Sequence, residues 1–265
     1  MVVLSDLLTD LADESADLDA LVAPLSVADW AGPTPAAGWT IAHQIAHLAW
    51  TDHMALLAAT DAEAFYATVM TAPDPTRMVD AGAEAFLAPP VDLLARWRTG
   101  RTALTDALVA VPTGEKLPWY GTRMSATSMA TARIMETWAH GEDVADTLGV
   151  ARAPSDRLRH VAHLGVRTLG HGFAAHGREA PTTPVRVELA APGGGTWTWG
   201  PGDAADRLSG PARDFCLLVT RRRHRADLAL LATGPVADEW LDVAQAFAGP
   251  PGDGREPAGR GGGTA

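Results

Sequence analysis

Glu136 and His140 are the residues around which a chemical reading of this chain is built. They lie in the stretch from Thr131 to Val144. If that stretch is helical, a spacing of four places one side chain above the other on a single face, where both can reach one metal ion. A catalytic zinc site takes three protein ligands and leaves a fourth position open. The third ligand is expected from His47, far upstream on another predicted helix and in the most apolar context of any histidine nearby. His43 shares its face with His47 and Trp50 and is expected to support the ligands or touch substrate, while His53 is turned well off that face. Around the pair, Arg133, Glu136, His140 and Asp143 form one polar stripe. Such a stripe is either the wall of a site or a solvated face with an Arg133 to Glu136 ion pair.

The composition limits what this site could serve. The 265 residues carry 21 basic against 32 acidic side chains, a net charge of -11. Nucleic-acid binding, which needs clustered Lys and Arg, is therefore not expected; the dense basic run is confined to Arg221 through Arg225. Nearly half the residues (47%) are apolar, as in a folded globular chain. A single cysteine, Cys216, excludes an intrachain disulfide and a cysteine-rich metal cluster. With Phe215, Leu217 and Leu218 beside it, Cys216 is read as a buried thiol and not as a nucleophile. The opening residues lack the basic region of a signal peptide, and no apolar run of about 18 residues occurs, so a cytoplasmic protein without a membrane span is expected. Its partners should be small molecules, and it should be a monomer or homodimer.

The elements that position these residues follow from hydrophobic periodicity. Leu4, Leu7, Leu8, Leu11, Leu18, Leu21, Val22 and Leu25 mark an amphipathic first helix ending near Pro24. A second helix starts after Gly38 with Thr40 as its cap and runs to about Ala59; it is apolar on most sides and so belongs inside a bundle. Residues 61 to 88 read as short helical pieces broken at Pro73 and Pro75. Pro90 opens a helix lasting to Pro112, with Leu93, Leu94, Trp97, Leu104 and Leu108 facing the core. A loop holding Trp119, Tyr120, Gly121 and Arg123 follows, and Ser125 caps the helix of Glu136 and His140, which ends at Gly149.

A helix from Pro154 to about Gly177 carries His160, His163, Arg167 and His171. His163 and Arg167 form a polar pair on an apolar stripe. Beyond Pro181 the period changes to two: Val185, Val187 and Leu189 alternate with polar residues, and Gly193 to Gly195 precede Thr196 to Trp199, the pattern of two strands and a turn. Gly210 to Thr220 is a buried helix or strand, Asp227 to Leu231 a strand and Val236 to Phe247 a helix. The expected fold is mainly α, a helical bundle over residues 1–180 and a small α+β domain over 181–250. The segment 251–265, rich in Gly and Pro, is expected to be a disordered tail.

Two stretches carry a resemblance. Trp39-Thr40 with Ala46-His47-Leu48, and above all the run from Arg133 to Gly149, resemble the mycothiol-dependent maleylpyruvate isomerase family within the DinB-like superfamily. Trp199-Gly200, Asp206-Arg207, Ser209 to Ala212 and Asp214-Phe215 are similar to the small domain that follows the bundle there. The ending from Ala244 to Gly252 resembles one branch of the superfamily. The resemblance implies a DinB-like four-helix bundle holding a divalent metal, usually zinc, through His47, Glu136 and His140. It further implies mycothiol as thiol cofactor and an arginine of the second domain acting at the site, sought among Arg221, Arg222 and Arg223.

On that reading a metal-held thiolate adds to a cis double bond, the resulting single bond rotates, and elimination leaves the trans product. Arg133, Arg167 and arginines 221 to 223 are candidates to hold substrate carboxylates and the enolate. A thiol S-transferase would stop after the addition. The alternative is a metal hydrolase, or a thiol-independent isomerase or cyclase, with His43, His163 or Asp143 as general base. A third reading is a metal-binding protein without turnover.

Overall fold

The structure is a computed structural model and describes residues 3–72, 74 and 77–260. It divides into two compact units, Met1–Arg152 and Ala153–Ala265.

Unit 1 is organised by four long helices: α1 (Leu4–Val22), α3 (Ile41–Thr60), α6 (Pro90–Ala110) and α7 (Ala126–Leu148). Each forms for a local reason. The apolar stripe of α1 buries Leu7, Leu8, Leu11, Leu18 and Val22. Pro90 sits in the first turn of α6, where its missing N–H costs nothing, and Leu93, Leu94, Trp97, Leu104 and Leu108 all face inward. Full burial of each such leucine is worth about 1.5–3 kcal/mol. Ser125 caps α7 through its hydroxyl, and Gly149 ends it in the left-handed region at φ 66°.

Helix α3 is different because it is buried on nearly every side and carries a polar row, Gln44, His47, Thr51 and Asp52, within that burial. It packs on α6 and α7, and α7 packs on α1. Thr40 starts α3 with a reciprocal cap in which the third residue, His43, returns a hydrogen bond to the cap. The core joins Leu18, Val22, Trp30, Ile41, Ile45, Leu48, Leu93 and Trp97 with Val144.

Charges at the rim of this core are paired. Asp19 of α1 receives Arg98 and Arg101 of α6. Arg152 joins Glu14 of α1 to Glu142 of α7, with all three side chains at most one-tenth exposed.

Shorter elements complete unit 1: α2 (Val27–Trp30), α4 (Ala62–Met70) and α5 (Met78–Phe86). The breaks expected at Pro73 and Pro75 lie outside the described residues. The loop expected between Pro112 and Ser125 instead contains a two-stranded hairpin, β1 (Leu117–Trp119) with β2 (Thr122–Met124). These strands are three residues long and contain Pro118, so alternation has no room to show.

In unit 2, α8 (Leu158–Arg167) and α9 (Leu169–Ala175) replace the single helix expected from Pro154, the break falling at Thr168. A four-stranded sheet has the order β4 (Thr196–Trp199), β3 (Val185–Ala190), β5 (Asp206–Pro211), β6 (Leu231–Thr233). The β3–β5 pair is parallel and the other two are antiparallel. Helix α10 (Ala212–Val219) packs on α8, and α11 (Pro235–Val243) packs on α9. Phe215 and Trp240 meet edge to face at 5.5 Å in its core.

The strand expected over 227–231 is displaced to 231–233, because residues 225–227 form a 3₁₀ turn. Strand β5 escaped sequence notice, since Gly210 and Pro211 at its end read as a breaker. The boundary expected near residue 180 falls inside unit 2, because α8 and α9 pack with α10 and α11. The segment from 251 is described up to Arg260, with Ala258 N–H donating to the Asp227 carboxylate; residues 261–265 lie outside the described residues.

Candidate metal centre

Two helices of unit 1 bring the three expected ligands together. His47 of α3 and Glu136 and His140 of α7 offer ligand atoms that all lie within 4.8 Å of one another. His47 Nε2 is 3.1 Å and His140 Nε2 3.3 Å from the same oxygen, Glu136 Oε2. The imidazoles are nearly buried, their side chains 7% and 11% exposed, whereas Glu136 is 21% exposed and forms the solvent-facing corner.

The chemistry of these atoms fits a cation. Thr34 Oγ1 donates to Trp39 O at 2.9 Å and therefore accepts from the Gln44 amide nitrogen, also at 2.9 Å. That turns Gln44 Oε1 toward His140 Nδ1, which must be the protonated nitrogen of a neutral ring. His140 Nε2 then presents a lone pair to the lone pairs of Glu136. Those lone pairs repel unless a cation or a proton stands between them. Burial works against the ionised Glu136, yet the imidazoles of His140 and His47 beside it, whenever a proton occupies their Nε2, hold its carboxyl well below the usual carboxylate range.

The walls are specific too. The indole of Trp39 lies over both imidazoles, 5.4 Å from His47 and stacked at 6.0 Å on His140. The Trp50 ring is tilted against His47, with centroids 6.3 Å apart. Arg133, one turn before Glu136, is fully buried and anchored through Nε to Asp52 Oδ1 at 2.8 Å. Among the described residues, Arg133 Nη2, the Tyr120 hydroxyl and His47 Nδ1 are buried without a hydrogen-bond partner. Burial pushes the Tyr120 hydroxyl up, and the charges of Arg133 and Glu136 pull it in opposite directions. The polar stripe of α7 is thus an inward wall and not a solvated face: Arg133, His140 and Asp143 are all buried.

The remaining candidates have other attachments. His43 spends Nδ1 on the cap of α3, at 2.8 Å from Thr40 Oγ1. His163 belongs to unit 2, where it accepts from Trp199 Nε1 at 3.2 Å. Arg221 and Arg222 also belong to unit 2; Arg222 donates to Thr220 O. Sequence reasoning overlooked Gln44 and Asp52 beside the cluster; for the loop of Trp119, Tyr120 and Arg123 it left a pocket lining and simple packing as alternatives. Gln44 stands three residues before His47, on the same helical face, and that spacing was the available signal.

A helical bundle with a His–Glu–His cluster able to hold one divalent cation, followed by a small α+β unit, defines the class. Its family is given by comparison: the chain belongs to the mycothiol maleylpyruvate isomerase N-terminal domain family, which matches residues 11–145. A second family, Wyosine base formation, matches residues 181–233. Two uncharacterized proteins of Mycobacterium tuberculosis, from strains CDC 1551 / Oshkosh and ATCC 25618 / H37Rv, are each 57% identical over 249 residues. Each alignment spans 93% of this chain and 96% of the relative. Among solved structures, the mycothiol-dependent maleylpyruvate isomerase matches with a TM-score of 0.58 at 17% identity, covering 83% of this chain and 90% of that one. A histidine-to-alanine mutant of that isomerase gives 0.58 at 16%, with the same coverage. At 17% identity and below, the likeness to these solved structures shows a shared fold. Among the described residues, no helix is long and apolar enough to cross a membrane.

Proposed function

We propose that the chain is a divalent-metal enzyme, zinc being the expected ion, that uses a low-molecular-weight thiol of the mycothiol type on a small carboxylated substrate. The reaction class is cis–trans isomerisation by reversible thiol addition, or thiol S-transfer. The observation that carries this reading is the convergence of His47 Nε2, His140 Nε2 and Glu136 Oε2 beside the buried, partnerless donor Arg133 Nη2. A bound zinc ion would supply Lewis acidity, lowering the pKa of a thiol or water in its open position.

The chain's own residues do the rest. His47, Glu136 and His140 are the ligands, and Gln44 fixes the tautomer of His140. Asp52 orients Arg133, whose outer nitrogen donates to a substrate carboxylate or to the enolate oxygen that develops on addition. The Tyr120 hydroxyl is a second donor for the same oxygen. Trp39 and Trp50 exclude water from the imidazole side, so polar interactions there act in a low dielectric.

Cobalt-substituted protein titrated with mycothiol tests the reading. A sulfur-to-cobalt charge-transfer band in the near ultraviolet is expected. A spectrum indifferent to thiol, with hydrolysis of a water-labile substrate instead, would replace it with metal hydrolase or thiol-independent chemistry.

A further inference from the structure

Unit 2 contains a cavity of about 180 Å³ lined by Arg221, Arg223, His224, Arg225, Arg255, Asp242 and Asp253. Four arginines and two aspartates line it, and Asp238, paired with Arg225, adds a third carboxylate, so the cluster is net positive by one with the histidine neutral. Arg225 is already committed, pairing with Asp238 and Asp242. His224 accepts the Ala226 N–H on Nδ1, so its neutral ring carries the proton on Nε2 and is a donor.

The decisive residue is Arg221. Helix α10 ends in a paired-bond turn: Arg221 N–H donates to Leu218 O at 2.9 Å and Arg222 N–H to Leu217 O at 2.8 Å. The position after such a helix end requires the left-handed region and is ordinarily glycine. Arg221 occupies it at φ 58°, the one non-glycine residue with positive φ among the described residues. A strained arginine where glycine would be easier implies that its side chain is needed. Yet among the described residues Arg221 Nε is buried without a hydrogen-bond partner, while Nη2 lies 3.5 Å from Gly252 O and packs against Gly254. One buried donor of a guanidinium held in place is thus unspent.

We infer that this cavity binds a phosphoryl dianion, with Arg221 as the principal donor and Arg223, His224 and Arg255 closing around it. The net positive lining matches the sign of charge on a phosphate monoester near neutral pH, and several donors lining one cavity suit a tetrahedral anion. The group arrives either as free phosphate or at the end of a larger monoester.

Calorimetry and thermal melting of the full chain distinguish the outcomes. Inorganic phosphate should bind with saturable one-to-one heat and raise the melting midpoint; tighter binding by glycerol phosphate would assign the source as a monoester, weaker binding as free phosphate. Arg221→Gly should melt about 2 to 4 °C higher than wild type without phosphate, since the strain is relieved, and should lose the phosphate response. Arg223→Ala should weaken phosphate at least about tenfold, equivalent to 1.4 kcal/mol. His140→Ala should leave phosphate binding unchanged, so the metal reading and this one fail separately. Three results would overturn the inference: no heat with phosphate up to about 10 mM, equal binding by malonate, or a lower midpoint for Arg221→Gly, which would make Arg221 a tether for residues 252–254.

Discussion

Gln44 Oε1 accepts the Nδ1 proton of His140, and Gln44 can do so only because its own amide nitrogen is spent on Thr34. One neutral side chain thereby decides which imidazole nitrogen is left to a metal. Partners of this kind commonly change metal affinity by 10- to 100-fold when removed.

Gln44→Ala should therefore weaken zinc by roughly 10- to 100-fold, measured by chelator competition. His47→Ala, Glu136→Ala and His140→Ala should each abolish stoichiometric metal while the circular dichroism spectrum stays helical. Full zinc retention by any of the three would remove that residue from the ligand set.

Asp52→Ala should be among the costliest substitutions in unit 1. It leaves the Arg133 guanidinium buried without a counter-charge, for which about 3–5 kcal/mol is expected. Urea unfolding measures it. Replacing both partners with apolar residues, Asp52→Leu with Arg133→Met, should recover most of the loss while leaving no donor for substrate.

Acid should weaken the contact between α1 and α6. Hydrogen bonding from Arg98 lowers the Asp19 carboxyl, burial opposes this, and Arg101 adds to the lowering. A carboxyl lower in the folded than in the unfolded chain contributes stability that is fully present above its ordinary value, about 3.9, and is lost as pH falls through its folded value. The effect is on the order of 1 kcal/mol because Arg98 is half-exposed. Unfolding midpoints between pH 6 and pH 2.5 should fall less steeply at the acid end for Asp19→Asn than for wild type.

The sequence made some of this legible and hid the rest for physical reasons. Helices α1, α3, α6 and α7 are long and periodic, and their signals at Thr40, Pro90, Ser125 and Gly149 are local, so they could be read directly. The triad was readable because Glu136 and His140 sit one turn apart and His47 lies in an unusually apolar helix. Asp52 was not, and the loop of Tyr120 was readable only as a candidate pocket lining, because which residues of α3 and of the β1–β2 hairpin end up near Arg133 is a tertiary fact. The hairpin and β5 are too short or too interrupted by Pro and Gly for alternation to appear. The compact units divide at Arg152 and Ala153, whereas the change from helix to strand near residue 181 is louder in sequence than the packing of α8 against α10.

Gly82 of α5 has a consequence for the centre although α5 carries no ligand. A Cβ there would meet the Trp50 indole at 2.3 Å, so α5 approaches α3 at backbone distance, and Trp50 in turn touches the His47 ring. The tilt of a ligand is thus inherited from a nine-residue helix outside the long four. Relatives could retune the geometry of the proposed centre by drifting in α5 alone, with His47, Glu136 and His140 untouched, and a comparison of those three positions would register no change.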